Sequence, residues 1–210
     1  ISSQTFYKLK PLDQSSIFSI KYNTIVDDTQ YKALIEKFID DFEKLKGLGK
    51  EQFNIALRDI LHNYFWCVPS STINKPDISL YDHMVTTAAF ASVLFEYHKN
   101  TNTLDNIQEI QNREQKKFLF ISGDLSGIQS YIFDLKSTSF NAKLLRSRSF
   151  ELQLLTESVS RKILNNFNLP VFCKVMDAGG RFIIVLPNIP ETAKKLTKIS
   201  NNIIHFFLLN

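Results

Sequence analysis

The chain has 210 residues, of which 44% are hydrophobic and 22% are charged, and its formal net charge is +4. This composition excludes a disordered chain and predicts globular structure with one sizeable core or two modest ones. The two cysteines, Cys67 and Cys173, lie far apart in sequence, which excludes a disulfide framework and a metal knuckle. The mild positive charge fits a nucleic-acid or nucleotide partner, and equally an ordinary cytosolic protein.

The longest apolar runs, such as RFIIVLP and IIHFFLL, are much shorter than the roughly 18 to 20 residues of a membrane span. The first residues, ISSQTFYKLK, do not have the pattern of a signal peptide. We therefore expect a cytoplasmic chain that does not bind a membrane and whose two thiols are reduced. The chain begins with Ile1 rather than methionine, which indicates a piece of a longer protein.

Three segments in the first half have apolar residues at helical spacing and are predicted to be amphipathic helices. These segments are residues 31–46, 51–65 and 80–98. Gly47 and Gly49 end the first of them. The polar segment 99–117 is predicted to be a connector, so we place a domain boundary between residues 117 and 118.

The second half begins with a predicted strand at 118–122, followed by a long helix at 141–167. Two apolar strands, 171–177 and 181–187, are joined by Gly179-Gly180, which supplies the positive φ of a tight hairpin turn. A last amphipathic helix covers 190–208. We therefore predict an α+β protein, in which a helical N-terminal region precedes a ferredoxin-like βαββα palm domain that lacks its last strand.

The first predicted strand ends at Gly123-Asp124 beside the glycine hairpin, which is the layout of a nucleotidyltransferase palm. In such palms, carboxylates at the end of the first strand and in the hairpin turn hold two divalent ions. Here the turn reads DAGGRF, with Asp177 before the glycines and Arg181 where a catalytic turn has acids. Because arginine favours phosphate binding over gathering magnesium, we predict a palm that holds a nucleotide but does not catalyse alone.

The motif GDLSG, residues 123–127, has two interpretations. Asp124 could cap the backbone amides of Ser126 or Gly127 in a turn, or it could serve a metal ion or a nucleotide. Gly123, Ser126 and Gly127, at the start of a helix, could also present free amides to a phosphate. The spacing alone leaves these alternatives open.

Two further motifs are ambiguous. Arg146 and Arg148 lie two positions apart on a helix and cannot both face one ligand, so either one turns inward to a phosphate or acidic partner or both are solvated. Asp82 and His83 suggest a metal site, but Ser79 and Asp82 also fit a helix capping box. The remaining histidines are predicted to be structural. They are His62, His98 and His205.

Five co-linear motifs resemble one known family. FWCVPSST, DISLYDH followed by TTAA, GDLSGIQSYIF, LRSRSFELQLL and AGGRFIIVLPN occur in the order and approximate spacing seen in the large subunit of type III-A CRISPR interference complexes. That subunit is the Csm-type member of the CRISPR polymerase family. The similarity extends from YKLKPL to the last helix.

The resemblance implies a parent protein with an N-terminal HD-type nuclease domain that cuts single-stranded DNA, followed by two ferredoxin-like palms. Residues 1–117 would link the nuclease domain to the first palm, which would be residues 118–210. The family's palms bind two ATP molecules, with magnesium or manganese, and polymerise them into cyclic oligoadenylates when target RNA is bound. The family's Gly-Gly-Asp-Asp turn belongs to the second palm and its His-Asp motif would precede Ile1, so we expect this chain to be inactive alone.

The resemblance also implies a set of nucleotide-binding residues, with no catalytic residue and no metal ligand in this chain. They are Asp124, Ser126, Gly127, Gln129, Arg148, Gly179, Gly180 and Arg181. The implied partners are the other subunits of the effector complex, the second palm of the same parent chain, and guide and target RNA indirectly. The alternative hypothesis is a non-catalytic scaffold that docks guide-RNA-bound subunits. A self-sufficient nucleotide cyclase is disfavoured because the turn lacks acids.

Overall fold

A computed structural model describes residues 5–16, 18–21, 28–71, 73, 77–134 and 141–209. The chain divides into two compact units, Ile1–Thr87 and Ala88–Asn210, which meet within a helix. The second half of that helix contributes Ala89 and Val93 to the core of the second unit. The predicted boundary between a linking region and a palm domain, at residues 117 and 118, stays a prediction.

The described residues of the first unit form two short strands, two helices and the start of a third. Their bounds are β1 Thr5–Phe6, β2 Ile20–Lys21, α1 Asp28–Glu43, α2 Lys50–Phe65 and α3 Leu80–Asn100. The helices confirm the apolar spacing, although α1 begins and ends three residues before the predicted bounds. The antiparallel pair of β1 and β2 was not predicted, because strands of two residues have no readable period. The core of this unit combines aromatic and aliphatic side chains, namely Leu34, Tyr64, Phe65 and Val68.

In the second unit, the residues that the structure describes form the rest of α3, three strands and four further α-helices. Their bounds are α4 Ile107–Gln111, β3 Phe118–Asp124, α5 Ile128–Phe133, α6 Asn141–Asn166, β4 Lys174–Ala178, β5 Arg181–Pro187 and α7 Pro190–Leu209. Strand β4 begins three residues later than predicted, because Val171–Cys173 form a 3-10 turn after Pro170. None of the described helices combines the length and the apolar character that a membrane span needs.

The three strands form one antiparallel sheet in the order β3-β5-β4. If the strands are counted along the chain, this order is 1-3-2, which is the order of the first three strands in a ferredoxin-like sheet. The succession β3, α6, β4, β5, α7 gives the predicted βαββα pattern. Among the described residues, the outer edge of β3 has no partner strand. The α+β fold class is thus confirmed.

The hairpin between β4 and β5 has the predicted glycine turn. Gly179 and Gly180 have φ values of +56° and +98°, and a two-residue turn of this type requires positive φ at both positions. The turn brings Ala178 opposite Arg181 and begins the central strand of the sheet.

Helix α3 packs against one end of the sheet, and the other end, at the hairpin turn, is exposed. Phe90 of α3 packs its ring 4.9 Å from that of Phe118, at the start of β3. Asp124 and Arg181, at the hairpin end, are exposed. The apolar spacing in α6 predicts an inner side that includes Leu144 and Ile163. Ile163 is buried, but Leu144 is 40% exposed, because the first half of α6 faces α5 rather than the sheet. The hairpin end of the sheet is therefore the accessible one.

Candidate functional site

The polar end of the sheet consists of Ser122, Asp124 and Arg181. The register places Asp124 of β3 directly opposite Arg181 of β5, so their side chains share one face. Ser122 lies on that face two residues earlier, and its Oγ is 3.4 Å from Arg181 Nε. A carboxylate, a guanidinium and a hydroxyl thus lie together on an exposed surface, and they offer both a cation for an anionic ligand and acceptors for its hydroxyl groups.

The loop after β3 is joined to the hairpin turn. The Leu125 N–H donates to the Gly180 carbonyl at 3.0 Å. Gly127, with φ of +75°, is the N-cap residue directly before α5. Ser126 and Gln129 are exposed beside it. The structure therefore gathers seven of the eight predicted nucleotide-binding residues at the polar sheet end, the following loop and the glycine turn.

The alternative in which Asp124 caps this loop is not supported by the geometry. Within residues 118–134, no hydrogen bond joins the Asp124 carboxylate to the amide of Ser126 or Gly127. Asp124 is exposed and faces the same side as Arg181. Its carboxylate is therefore accessible to a ligand.

The two glycines of the turn have different surroundings. A Cβ at Gly180 would lie 2.3 Å from Ile128 Cδ1, whereas a Cβ at Gly179 would meet nothing within 4 Å. Gly180 is buried and Gly179 is exposed. Packing against α5 thus accounts for Gly180, while Gly179 leaves open space where a ligand can approach the backbone.

Arg148, on α6, contacts the C-terminal end of α5. Its Nη1 donates to the carbonyl oxygens of Tyr131 at 2.6 Å and Asp134 at 3.0 Å. Arg146 is exposed, so of the two arginines it is Arg148 that turns inward, and its partners are backbone carbonyls. Its role toward a nucleotide stays a prediction.

A second polar network holds the hairpin to α6. The Lys174 ammonium group bonds both Asp177, at 2.5 Å, and Glu157 of α6, and its side chain is only 4% exposed. Burial alone would raise the pKa of Glu157, but hydrogen bonds from Lys174 and Arg161 outweigh burial and lower it. Asp177, the acid that precedes the glycines, is therefore engaged in this network.

The Ser79–Asp82 capping interaction is confirmed in the first unit. The Asp82 N–H donates to Ser79 Oγ at 3.0 Å, and the Ser79 hydroxyl donates to Asp82 Oδ2 at 2.7 Å. A capping box predicts that the Asp82 carboxylate accepts from the Ser79 amide, whereas here it accepts from the Ser79 hydroxyl. In the described part of the chain, no three His, Cys, Asp or Glu residues lie close enough to hold a metal ion, so the geometry favours the cap over a metal at Asp82 and His83.

Sequence reasoning missed the residues that support the site. Ser122 was detectable from the period of two along β3, which places it beside Asp124. The contacts of Ile128 with Gly180, of Tyr131 with Arg148 and of Lys174 with Glu157 gave no local signal, because each joins residues of different elements. Of the predicted structural histidines, His98 is buried, with Nδ1 2.7 Å from Thr103 Oγ1.

Comparison with known proteins matches this chain to the family that its sequence motifs resemble. Residues 117–210 match the family model described as Csm1 subunit domain B. A relative from Methanocaldococcus jannaschii, named CRISPR system single-strand-specific deoxyribonuclease Cas10/Csm1 (subtype III-A), is 33% identical over 225 residues. The match covers 94% of this chain and 27% of that relative. The chain thus spans about a quarter of the length of the curated relatives it matches.

Solved structures of Csm1 are also similar to this chain. A Csm1–Csm4 cassette in complex with pppApA has a TM-score of 0.75 and 29% identity, over 93% of this chain and 26% of that chain. Cassettes in complex with one ATP and with cA4 each have a TM-score of 0.72, with identities of 28% and 27%. Each of these two covers 94% of this chain and 27% of the other chain.

Proposed function

The chain belongs to the Cas10/Csm1 family of subtype III-A CRISPR systems, and from this premise we propose that it forms half of a composite ATP site in the large subunit of a type III effector complex. The palm, residues 118–210, presents the polar sheet end and the glycine turn to the nucleotide. A second palm of the same parent chain completes the site. The whole reaction is the synthesis of cyclic oligoadenylate, and the single-stranded DNase activity lies outside this chain.

The observation that carries this proposal is the exposed pair of Asp124 and Arg181 beside the open space at Gly179. An arginine side chain matches the geometry and charge of a phosphate. In this proposal the Asp124 carboxylate accepts hydrogen bonds from a ribose or meets a metal ion held by the opposing palm. The exposed residues of the following loop line the same surface. They are Ser126, Gly127 and Gln129.

The same surface explains why catalysis needs a second palm. A two-metal mechanism uses carboxylates from both the strand end and the hairpin turn. Here the acid that precedes the turn, Asp177, is held by Lys174, and Arg181 follows the glycines. We therefore assign the catalytic acids and the magnesium or manganese to the opposing palm.

The relatives support ATP as the ligand. Csm1–Csm4 cassettes were solved with ATP, with pppApA and with cA4, which are the substrate, a linear intermediate and a cyclic product of adenylate polymerisation. By extension, we assign to this chain a cytoplasmic role in antiviral defence. Its partners there would be the other effector subunits and, indirectly, guide and target RNA.

The second candidate function is a scaffold that docks other subunits without binding nucleotide. The observation in its favour is a pair of apolar side chains one turn apart on α6, Phe150 and Leu154, which are 60% and 50% exposed. A partner subunit would cover them. Under this function the turn glycines serve geometry alone.

Calorimetric titration with ATP and manganese separates the two functions. The composite site predicts weak, measurable ATP binding that Arg181→Ala reduces by about tenfold or more, because a charge-assisted hydrogen bond contributes about 1.5–3 kcal/mol. Arg146→Ala, which removes an exposed arginine from α6, is the matched control. No binding by the wild-type chain would favour the scaffold. Synthesis of oligoadenylate by this chain alone would contradict the composite site.

A further inference from the structure

The contacts of Arg148 fit the end of a helix. Its Nη1 reaches the carbonyls of Tyr131 and Asp134 at 2.6 and 3.0 Å, with a longer contact of 3.4 Å to Ile132. The last carbonyls of a helix have no partner inside the helix and carry partial negative charge. A guanidinium that donates to several of these carbonyls gives them hydrogen-bond partners and offsets their negative charge. In this arrangement Arg148 holds the C-terminal end of α5.

Tyr131 strengthens this attachment. Arg148 Cζ lies 5.2 Å from the centroid of the Tyr131 ring, which is within the range of a cation–π contact. The Tyr131 hydroxyl donates to the Glu151 carboxylate, also on α6. That hydrogen bond raises the pKa of Tyr131. Two residues of α6 therefore hold the Tyr131 side chain of α5: Arg148 contacts its ring and Glu151 accepts from its hydroxyl.

The N-terminal end of α5 contacts the glycine turn. Ile128, its first residue, fills the space in which a Cβ of Gly180 would lie, and Leu125 packs beside it. The helix has six residues and none of them is buried. A helix this short is not stable by itself in water. Its orientation therefore depends on these attachments at its two ends.

We propose that Arg148 is a positioning residue of the nucleotide site: it holds α5 against α6 and so fixes the loop 124–127 relative to the glycine turn, without touching the ligand. The inference rests on the proposed function for its link to ATP. The first part of the inference, that Arg148 holds α5 against α6, concerns the protein alone. We call it the structural half, because all of its contacts exist without a nucleotide.

Amide hydrogen exchange of the ATP-free chain tests the structural half. Arg148→Ala is expected to accelerate exchange at residues 128–134 by about tenfold or more, because α5 then opens locally without unfolding the core. The global unfolding midpoint should stay close to that of the wild type. Arg146→Ala should leave exchange in α5 unchanged. Unchanged exchange in Arg148→Ala would overturn the proposal, whatever the variant does to ATP binding.

The ATP dissociation constant tests the functional half, with Arg148→Lys as the rescue variant. Lysine keeps the charge that a phosphate contact needs, but its ammonium nitrogen ends one bond short of the position of Nη1, the atom that makes all the carbonyl contacts. We expect both Arg148→Ala and Arg148→Lys to weaken ATP binding several-fold. Full recovery of affinity in Arg148→Lys would indicate a phosphate contact and overturn the positioning role. Faster exchange in Arg148→Ala, together with no ATP binding by the wild type, would support the α5 attachment and refute the nucleotide site.

Discussion

The ring of Phe182 on β5 lies directly over Gly123 on β3. A Cβ at Gly123 would come within 2.2 Å of Phe182 Cζ and 2.4 Å of its Cε1. Phe182 is buried in the core of the second unit. Gly123 is therefore required by packing on the covered face of the sheet, and it lets the strand continue to Asp124 without displacing the ring.

The first prediction concerns this contact. Gly123→Ala should lower the free energy of unfolding by about 1–3 kcal/mol, because the Phe182 ring must move out of a packed core. Urea denaturation followed by circular dichroism would measure the loss. The double variant Gly123→Ala, Phe182→Leu should recover part of it. A loss below about 0.5 kcal/mol in the single variant would mean that the ring adjusts freely.

The second prediction compares the two glycines of the turn. Both have positive φ, so alanine is strained at either position, by about 1–2 kcal/mol. Only at Gly180 does the new methyl group also collide with Ile128. We expect Gly180→Ala to cost about 1–3 kcal/mol more than Gly179→Ala in thermal or urea unfolding. Equal costs would contradict the contact between the turn and α5.

The third prediction is a pH dependence from Glu157. Its pKa in the folded protein lies below its ordinary value of 4.5, as the hydrogen bonds from Lys174 and Arg161 outweigh burial. Because the folded pKa is the lower one, the stabilisation is complete above about pH 5.5 and is lost as the pH falls through the folded pKa. The free energy of unfolding of the wild type should therefore decrease more between pH 6 and pH 3 than that of Glu157→Gln.

The control for this experiment is Glu114→Gln, which alters an exposed carboxylate in the same unit. It should follow the wild type across the range. Lys174→Met should be destabilised most at pH 7, since it leaves the partly buried Glu157 with Arg161 as its one remaining cation in this network and leaves Asp177 without Lys174. Identical pH profiles for the wild type and Glu157→Gln would show that the network does not contribute.

The fourth prediction concerns the start of α3. Ser79→Ala removes the hydroxyl that bonds both the amide and the carboxylate of Asp82, and should cost about 1 kcal/mol of stability. His83→Ala, at an exposed neighbouring position, should cost little. Thermal unfolding with and without added manganese would compare the two variants. A metal-dependent increase in stability that His83→Ala abolishes would reinstate a metal site here.

Much of the architecture could be predicted because the signals were local. The periods of α2, α3 and β5 depend on neighbouring residues, and β5 was predicted at its observed bounds, Arg181–Pro187. Gly179-Gly180 identified the turn because few residues other than glycine adopt two successive positive φ values. The strand pair β1 and β2 and the short helix α4 could not be found, because so few residues establish no period.

The site was predictable in its position and less so in its contacts. Asp124 ends β3 and Arg181 begins the antiparallel strand β5, so their meeting at one end of the sheet follows from the fold. The partners of Arg148 could not be inferred, since its side chain meets carbonyls that lie 14 to 17 residues earlier in the sequence. Spacing on one helix predicts which way a side chain points, but not what lies there.

Helix α6 contacts the two sides of the candidate site separately: Arg148 holds α5, and Glu157 bonds Lys174 at the start of β4. These residues are nine positions apart, which corresponds to about 13.5 Å along the helix axis. The distance between these two attachments is therefore set by the rise of a regular helix and not by the length of the loops around them. Insertions in those loops would leave this distance unchanged, whereas adding or removing one residue of α6 between the two contacts would rotate one of them by about 100° and detach it.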